Sequence, residues 1–63
     1  MSFDEDELAV VRLLVEGRTN REIGDELSLS QEEVDRLVGG FFAKVGASTR
    51  AEATAFAFFG KVL

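Results

Sequence analysis

The chain has no cysteine, no histidine and no proline, and each absence closes a class of explanation. Without cysteine there is neither a disulfide framework nor a thiolate metal site, and without histidine the commonest metal ligand and general base is missing. Nucleophilic catalysis would fall to Ser2, Ser28, Ser30, Ser48, Thr19, Thr49 or Thr54, helped only by carboxylates or lysine, and no such arrangement is visible. The chain does not read as an enzyme, and no cofactor is expected. No apolar run approaches the roughly 18 residues of a membrane span. The start, Met1-Ser2-Phe3-Asp4-Glu5-Asp6-Glu7, is acidic where a targeting segment would be basic, so a cytoplasmic protein without membrane contact is expected. Lysine is scarce too, two residues against five arginines, a balance that fits both a high-salt cytoplasm and chance in a short chain.

What is present is 63 residues, 46% hydrophobic and 30% charged, which fits one small folded domain over 1–63 and no second one. A core of this size supplies only a few kcal/mol, so stability must come from efficient packing or from oligomerisation. The net charge of −5 argues at first against nucleic acid. Asp4, Glu5, Asp6 and Glu7 carry −4 of it, however, leaving seven basic against eight acidic side chains in 8–63. Acidic residues in the first turn of a helix also have an ordinary role, complementing the positive end of its dipole.

Four helix starts share one device, an N-cap oxygen followed three residues later by glutamate: Asp4 with Glu7, Thr19 with Glu22, Ser30 with Glu33, and Thr49 with Glu52. Gly17 and Gly46 stand where left-handed C-terminal caps belong. The pattern predicts an all-α fold, a compact four-helix domain with helices at 5–16, 20–27, 31–45 and 50–59. The first has an apolar face of Leu8, Val10, Val11, Leu14 and Val15, with Phe3 placed to staple its start. The second turns Ile23 and Leu27 inward, and the third carries a stripe of Val34, Val38, Phe41 and Val45. Only Ser28-Leu29-Ser30 separates the second and third helices, and Gly24 sits where two steeply crossing helices would crowd a side chain. A short helix, a turn with an apolar residue and a longer helix make a helix-turn-helix, although short αα corners also occur in proteins that bind nothing.

These residues resemble the DNA-binding domain of LuxR-type regulators and of GerE. Val10 to Gly17 is similar to the family's first helix and its terminating glycine. Thr19-Asn20-Arg21-Glu22-Ile23-Gly24 resembles "S-N-K-E-I-A", and Leu27-Ser28-Leu29-Ser30 with Val34 resembles "L-x-I-S-x-x-T-V". Lys44 to Ala53 resembles "K-L-G-V-S-S-R-T-E-A". The resemblance implies a four-helix domain whose third helix enters the major groove and whose fourth makes a two-fold dimer on palindromic half-sites. Family members typically carry Thr, Lys and His where this chain has Glu33, Asp35 and Leu37. The two acids bring negative charge toward phosphates, and Leu37 cannot hydrogen-bond, so these three positions set the expected DNA partner in question.

With Val34, Val38, Phe41 and Val45 inward, the opposite face of the third helix presents Glu32, Glu33, Arg36, Gly39, Gly40 and Ala43, a nearly bare reading surface. Gln31 and Arg36 have the forked donors that base readout needs, and Glu33 could accept from cytosine N4. Gly39 and Gly40 each cost about 1 kcal/mol in a helix interior. Close approach of a DNA backbone, close packing of a partner helix and a tolerated weakness all remain open for that pair. Arg18, Arg21, Arg36, Lys44 and Arg50 stand where the resemblance places phosphate contacts, and helix N-termini add anion sites. Five contacts would give a salt slope of at most about −4.5. The same cations could instead be solvated charges paired with Glu22, Asp25 and Glu26.

The last helix is apolar nearly all round. Ala53, Phe56, Ala57 and Gly60 can face the domain, leaving Ala51, Thr54, Ala55, Phe58 and Phe59 for a second copy, and a homodimer is expected. Two functions follow. One is a small stand-alone transcription regulator that binds duplex DNA as a homodimer. The other is a dimeric interaction module or anti-regulator on a helix-turn-helix scaffold that has lost DNA binding and pairs with a protein partner. Taken as a whole protein, the chain holds no receiver or ligand-binding domain, and regulation would come from abundance, salt or a partner.

Overall fold

A computed structural model describes residues 3–59. Four helices follow one another: α1 (Glu5–Val15), α2 (Asn20–Leu27), α3 (Gln31–Val45) and α4 (Arg50–Phe58), with no strand among the described residues. Each observed boundary lies within one residue of the boundary expected from the caps. The reason is local. Every N-cap oxygen accepts from the backbone N–H three residues on, at Glu7, Glu22, Glu33 and Glu52.

The reciprocal half of the capping box is another matter. Asp4 and Thr19 donate their own N–H groups back to Glu7 and Glu22, completing both boxes. Glu33 turns away from Ser30 and binds Arg36, and Glu52 reaches past the cap to the N–H of Ser48. The expectation of four equivalent boxes is therefore corrected to two, because each of the other carboxylates finds a different donor.

Three of the four C-termini share one closure, and α4 instead ends at Phe59 with φ −82°. Gly17 and Gly46 take positive φ, +86° and +70°, and the N–H that follows each reaches back into the last turn, Arg18 to Leu13 and Ala47 to Phe42. The third closure is made by Ser28 at φ 58°, with Leu29 donating to Gly24 at 2.9 Å. A left-handed L-residue costs roughly 1 kcal/mol, and the short corner between α2 and α3 imposes it.

Packing radiates from α1, which touches the other three helices, while α3 touches α1, α2 and α4. Adjacent Val10 and Val11 feed two clusters. Val10 and Leu14 join Ile23, Val34, Leu37 and Val38, with Leu13, Leu27 and Leu29 at the margin. Val11 joins Phe41, Ala53 and Ala57, with Phe3, Val15, Val45 and Ala47 around them, and Phe42 borders both clusters. Phe3 meets Phe41 edge-on with centroids 5.9 Å apart, tying the start of α1 to α3.

Two expectations for α3 change. Leu37 is 4% exposed and belongs to the core, while Val45 is only half-buried at the margin. A 15-residue helix covered by α1, α2 and α4 together buries a wider stripe than the i, i+4 count suggests. Gly24 behaves as expected: a Cβ there would lie 2.9 Å from the Leu29 carbonyl and 2.5 Å from Gln31 Nε2. That close approach lets α2 and α3 meet across a three-residue turn.

Candidate nucleic-acid interface

The outward side of α3 is the candidate surface. Gln31, Glu32, Asp35, Arg36, Gly39, Ala43 and Lys44 are exposed there, and Glu33 and Gly40 are half-buried at its edge. Leu37 drops out of the question: facing the core, it would not touch a duplex, and its lack of a polar group removes no base contact. The acids Glu33 and Asp35 are also not free. Asp35 Oδ1 accepts from Asn20 Nδ2 at 3.2 Å. Glu33 receives Nε and Nη2 of Arg36, at 3.2 and 2.5 Å. The guanidinium holds the Glu33 carboxyl below the usual carboxylate range, and Glu33 in turn raises Arg36.

Among the expected phosphate contacts, Lys44 has the firmest alternative duty. Its Nζ lies 2.6 Å from Glu7 Oε1 and 4.9 Å from the centroid of the Phe3 ring. Glu7 is only 7% exposed. It occupies the core-facing side of α1 because it precedes Val10, Val11 and Leu14 by three, four and seven residues. That periodicity was the available signal, obscured by the residue's equally good fit to a cap. The acidic first turn thus does more than complement a dipole, since one of its members neutralises the last cation of α3.

Arg50 also turns inward. It donates to Asn20 Oδ1 at 2.6 Å and to the Arg18 carbonyl at 2.5 Å, bracing α4 against the start of α2. Gln31 Nε2 donates to the Asn20 carbonyl at 3.3 Å. Asn20 is therefore a hub for α2, α3 and α4, a role no periodicity or spacing signals because its partners lie 11, 15 and 30 residues away. Arg18 has one loose contact, 3.9 Å to Glu16. Arg21, exposed near the start of α2, has no hydrogen bond or ion pair among the described residues. The positions divide into three groups: Arg18 and Arg21 open to solvent, Arg36 held by its neighbour, and Gln31, Lys44 and Arg50 committed to holding helices together.

Gly39 and Gly40 leave room on the same face. A Cβ at Gly39 would meet nothing within 4 Å, and one at Gly40 only Glu7 Oε2 at 3.8 Å. Neither glycine is demanded by packing among the described residues. Along α4, Ala53 and Ala57 are buried and Phe56 is half-buried, as the pattern suggested. Ala51 and Ala55 are exposed, Thr54 is half-buried, and Phe58 and Phe59 stand 69% and 75% exposed with their rings edge to face at 5.7 Å. With Leu14, Val15 and Gly17 they line a shallow apolar groove. Gly60, expected on the inner side, lies outside the described residues.

Comparison with known proteins places this geometry. Residues 1–57 match the family model GerE, described as bacterial regulatory proteins of the luxR family. The chain is 34% identical over 56 residues to the transcriptional regulatory protein LiaR of Bacillus subtilis (strain 168), an alignment covering 89% of this chain and 26% of that protein. The chain thus spans about a quarter of its curated relative. No solved structure matches it. With four helices, a central helix-turn-helix and a family model matched over nearly its whole length, the chain belongs to the LuxR family of bacterial regulatory proteins as a helix-turn-helix DNA-binding domain.

Proposed function

We propose that this domain regulates transcription in the cytoplasm as a homodimer, laying the outward face of α3 in the major groove of duplex DNA. The observation that carries the reading is that face itself. None of the four described helices covers it, and Glu33 and Asp35, the acids that stood against DNA, are neutralised or turned aside by Arg36 and Asn20. Arg18 and Arg21 are the phosphate contacts that need no rearrangement. Two such contacts give a salt slope of about −2 per protomer, shallower than five would. Arg36 is the first candidate for a base edge, Gln31 would have to release the Asn20 carbonyl to offer its own fork, and Gly40, with Gly39, lets the α3 backbone sit close to the duplex. Lys44 and Arg50 would contribute to the local potential more than to direct contact.

The dimer is supported by α4. Phe58 and Phe59, with Ala51, Thr54 and Ala55, form an apolar surface too large to leave in water without consequence. A two-fold pairing would place the same patch on both partners.

The test is titration into a labelled pool of mixed-sequence duplexes at low and high KCl, read by anisotropy and by sequencing what is retained. Salt-dependent binding with an enriched two-fold motif is expected. Arg21→Glu should weaken it severely with the circular dichroism spectrum unchanged. Lys44→Glu is a poor probe because it would set a second carboxylate beside buried Glu7. A folded protein that binds no duplex at any salt would overturn the reading, and the α4 surface would then be the place to look for a protein partner.

A further inference from the structure

Arg36 occupies a singular position on α3. Beyond it along the exposed face come Gly39 and Ala43, so no other long side chain projects between it and Lys44, which is held by Glu7. Before it, Glu32 is exposed but offers no side-chain donor, Gln31 Nε2 is tied to the Asn20 carbonyl and Asp35 to the Asn20 side chain. The Arg36 side chain is 68% exposed, yet two of its five N–H donors are fixed on Glu33, Nε on Oε1 and Nη2 on Oε2. Those two lie along one edge of the guanidinium plane. The outer edge keeps parallel N–H groups on Nη1 and Nη2, the fork that matches O6 and N7 of guanine.

Glu33 had another partner within reach. At the starts of α1 and α2 the equivalent glutamate returns to the N-cap N–H, and here Ser30 supplies the same cap oxygen. The carboxylate leaves that bond unmade and faces Arg36 instead. An arginine already held in one orientation loses less freedom on meeting a base than one sweeping through solvent.

We propose that Glu33 and Arg36 form one reading unit, in which Glu33 positions the guanidinium and the outer edge of Arg36 selects a guanine in each half-site. The inference rests on the reading that α3 faces a duplex. Glu33 is then a positioning residue that makes no base contact.

The unit has a signature that a plain surface charge would not produce. Removing a carboxylate near phosphates strengthens non-specific binding, whereas removing the positioner weakens discrimination. The experiment compares the full chain with Glu33→Ala, Glu33→Gln and Arg36→Ala on duplexes carrying the selected motif and on duplexes with the guanine replaced. The unaltered chain should prefer guanine by about tenfold or more, the range of a good bidentate contact. Arg36→Ala should abolish that preference. Glu33→Ala should bind random duplex at least as tightly as the unaltered chain while losing most of the preference. Glu33→Gln, equally uncharged but retaining one acceptor, should keep part of it. If Glu33→Ala tightens binding to every sequence and keeps the guanine preference intact, or if Arg36→Ala leaves base preference unchanged, the unit does not exist. If the unaltered chain binds no duplex at all, it is the DNA reading that falls, and the reading unit with it.

Discussion

Replacing Gly39 with alanine should make the domain more stable, and the size of the gain follows from the structure. Gly39 is the ninth residue of a 15-residue helix, and an added Cβ would meet nothing within 4 Å. The substitution therefore makes no clash and gains only the restriction of backbone freedom that separates alanine from glycine, about 0.8–1.0 kcal/mol in a helix interior. Gly40 is nearly equivalent, since its Cβ would make an ordinary 3.8 Å contact with Glu7 Oε2. The two together should contribute about 2 kcal/mol. For a chain of this length the unfolding entropy is about 130 cal/mol/K, so each alanine should raise Tm by about 7 °C and the pair by about 15 °C. Thermal unfolding followed at 222 nm, at one fixed protein concentration because the proposed dimerisation would couple to Tm, measures this. Gly24→Ala is the internal control: the same gain in propensity is offset by a Cβ 2.9 Å from the Leu29 carbonyl, and Tm should not rise. A Tm for Gly39→Ala at or below that of the unaltered chain would refute the reasoning, because it would mean that the outward face of α3 is packed against something. If the glycines bring the α3 backbone close to a duplex, the stabilised double variant should also bind DNA more weakly.

Other consequences concern the polar contacts. Asn20→Ala removes the bonds to Asp35 and Arg50 and should lower stability by about 1–2 kcal/mol in urea unfolding, with α4 losing protection from hydrogen exchange first. A stability change below about 0.3 kcal/mol would show that the hub is incidental. The Glu22 carboxyl lies below the ordinary carboxylate range, chiefly because the Thr19 N–H donates to it. Its folded pKa is the lower one, so its contribution is fully present above the unfolded value and disappears as pH falls through the folded one. Glu22→Gln should therefore flatten the loss of stability across the acid side of the glutamate range, and an unchanged pH profile would refute the role given to that bond.

Much of the fold was legible because it is encoded locally. An Asp, Thr or Ser side chain caps a helix with a glutamate three residues ahead whatever the rest of the chain does, and Gly17 and Gly46 close helices because they tolerate positive φ. Hydrophobic period assigned most of the core and divided α4 into a buried edge of Ala53 and Ala57 and an exposed one of Ala51, Ala55 and Phe58. Gly24 was legible as well, since a corner of three residues forces two helices together wherever it occurs.

Other features had no local signature. Ser28 takes the left-handed position without being glycine, because the corner fixes its φ and not its own preference. Leu37 goes inside because three helices surround α3, which no period in α3 alone reveals. The candidate site changed most, since the fate of a charge depends on what the fold brings within about 3 Å of it. Seven basic side chains could be counted from the sequence. Only the tertiary structure decided that Lys44 answers Glu7 across 37 residues, that Arg50 answers Asn20 across 30, and that Arg21 faces water. Helix caps and apolar periods act over three or four residues and are written in order along the chain, whereas the pairing of charges is settled by distances in space that the order does not contain.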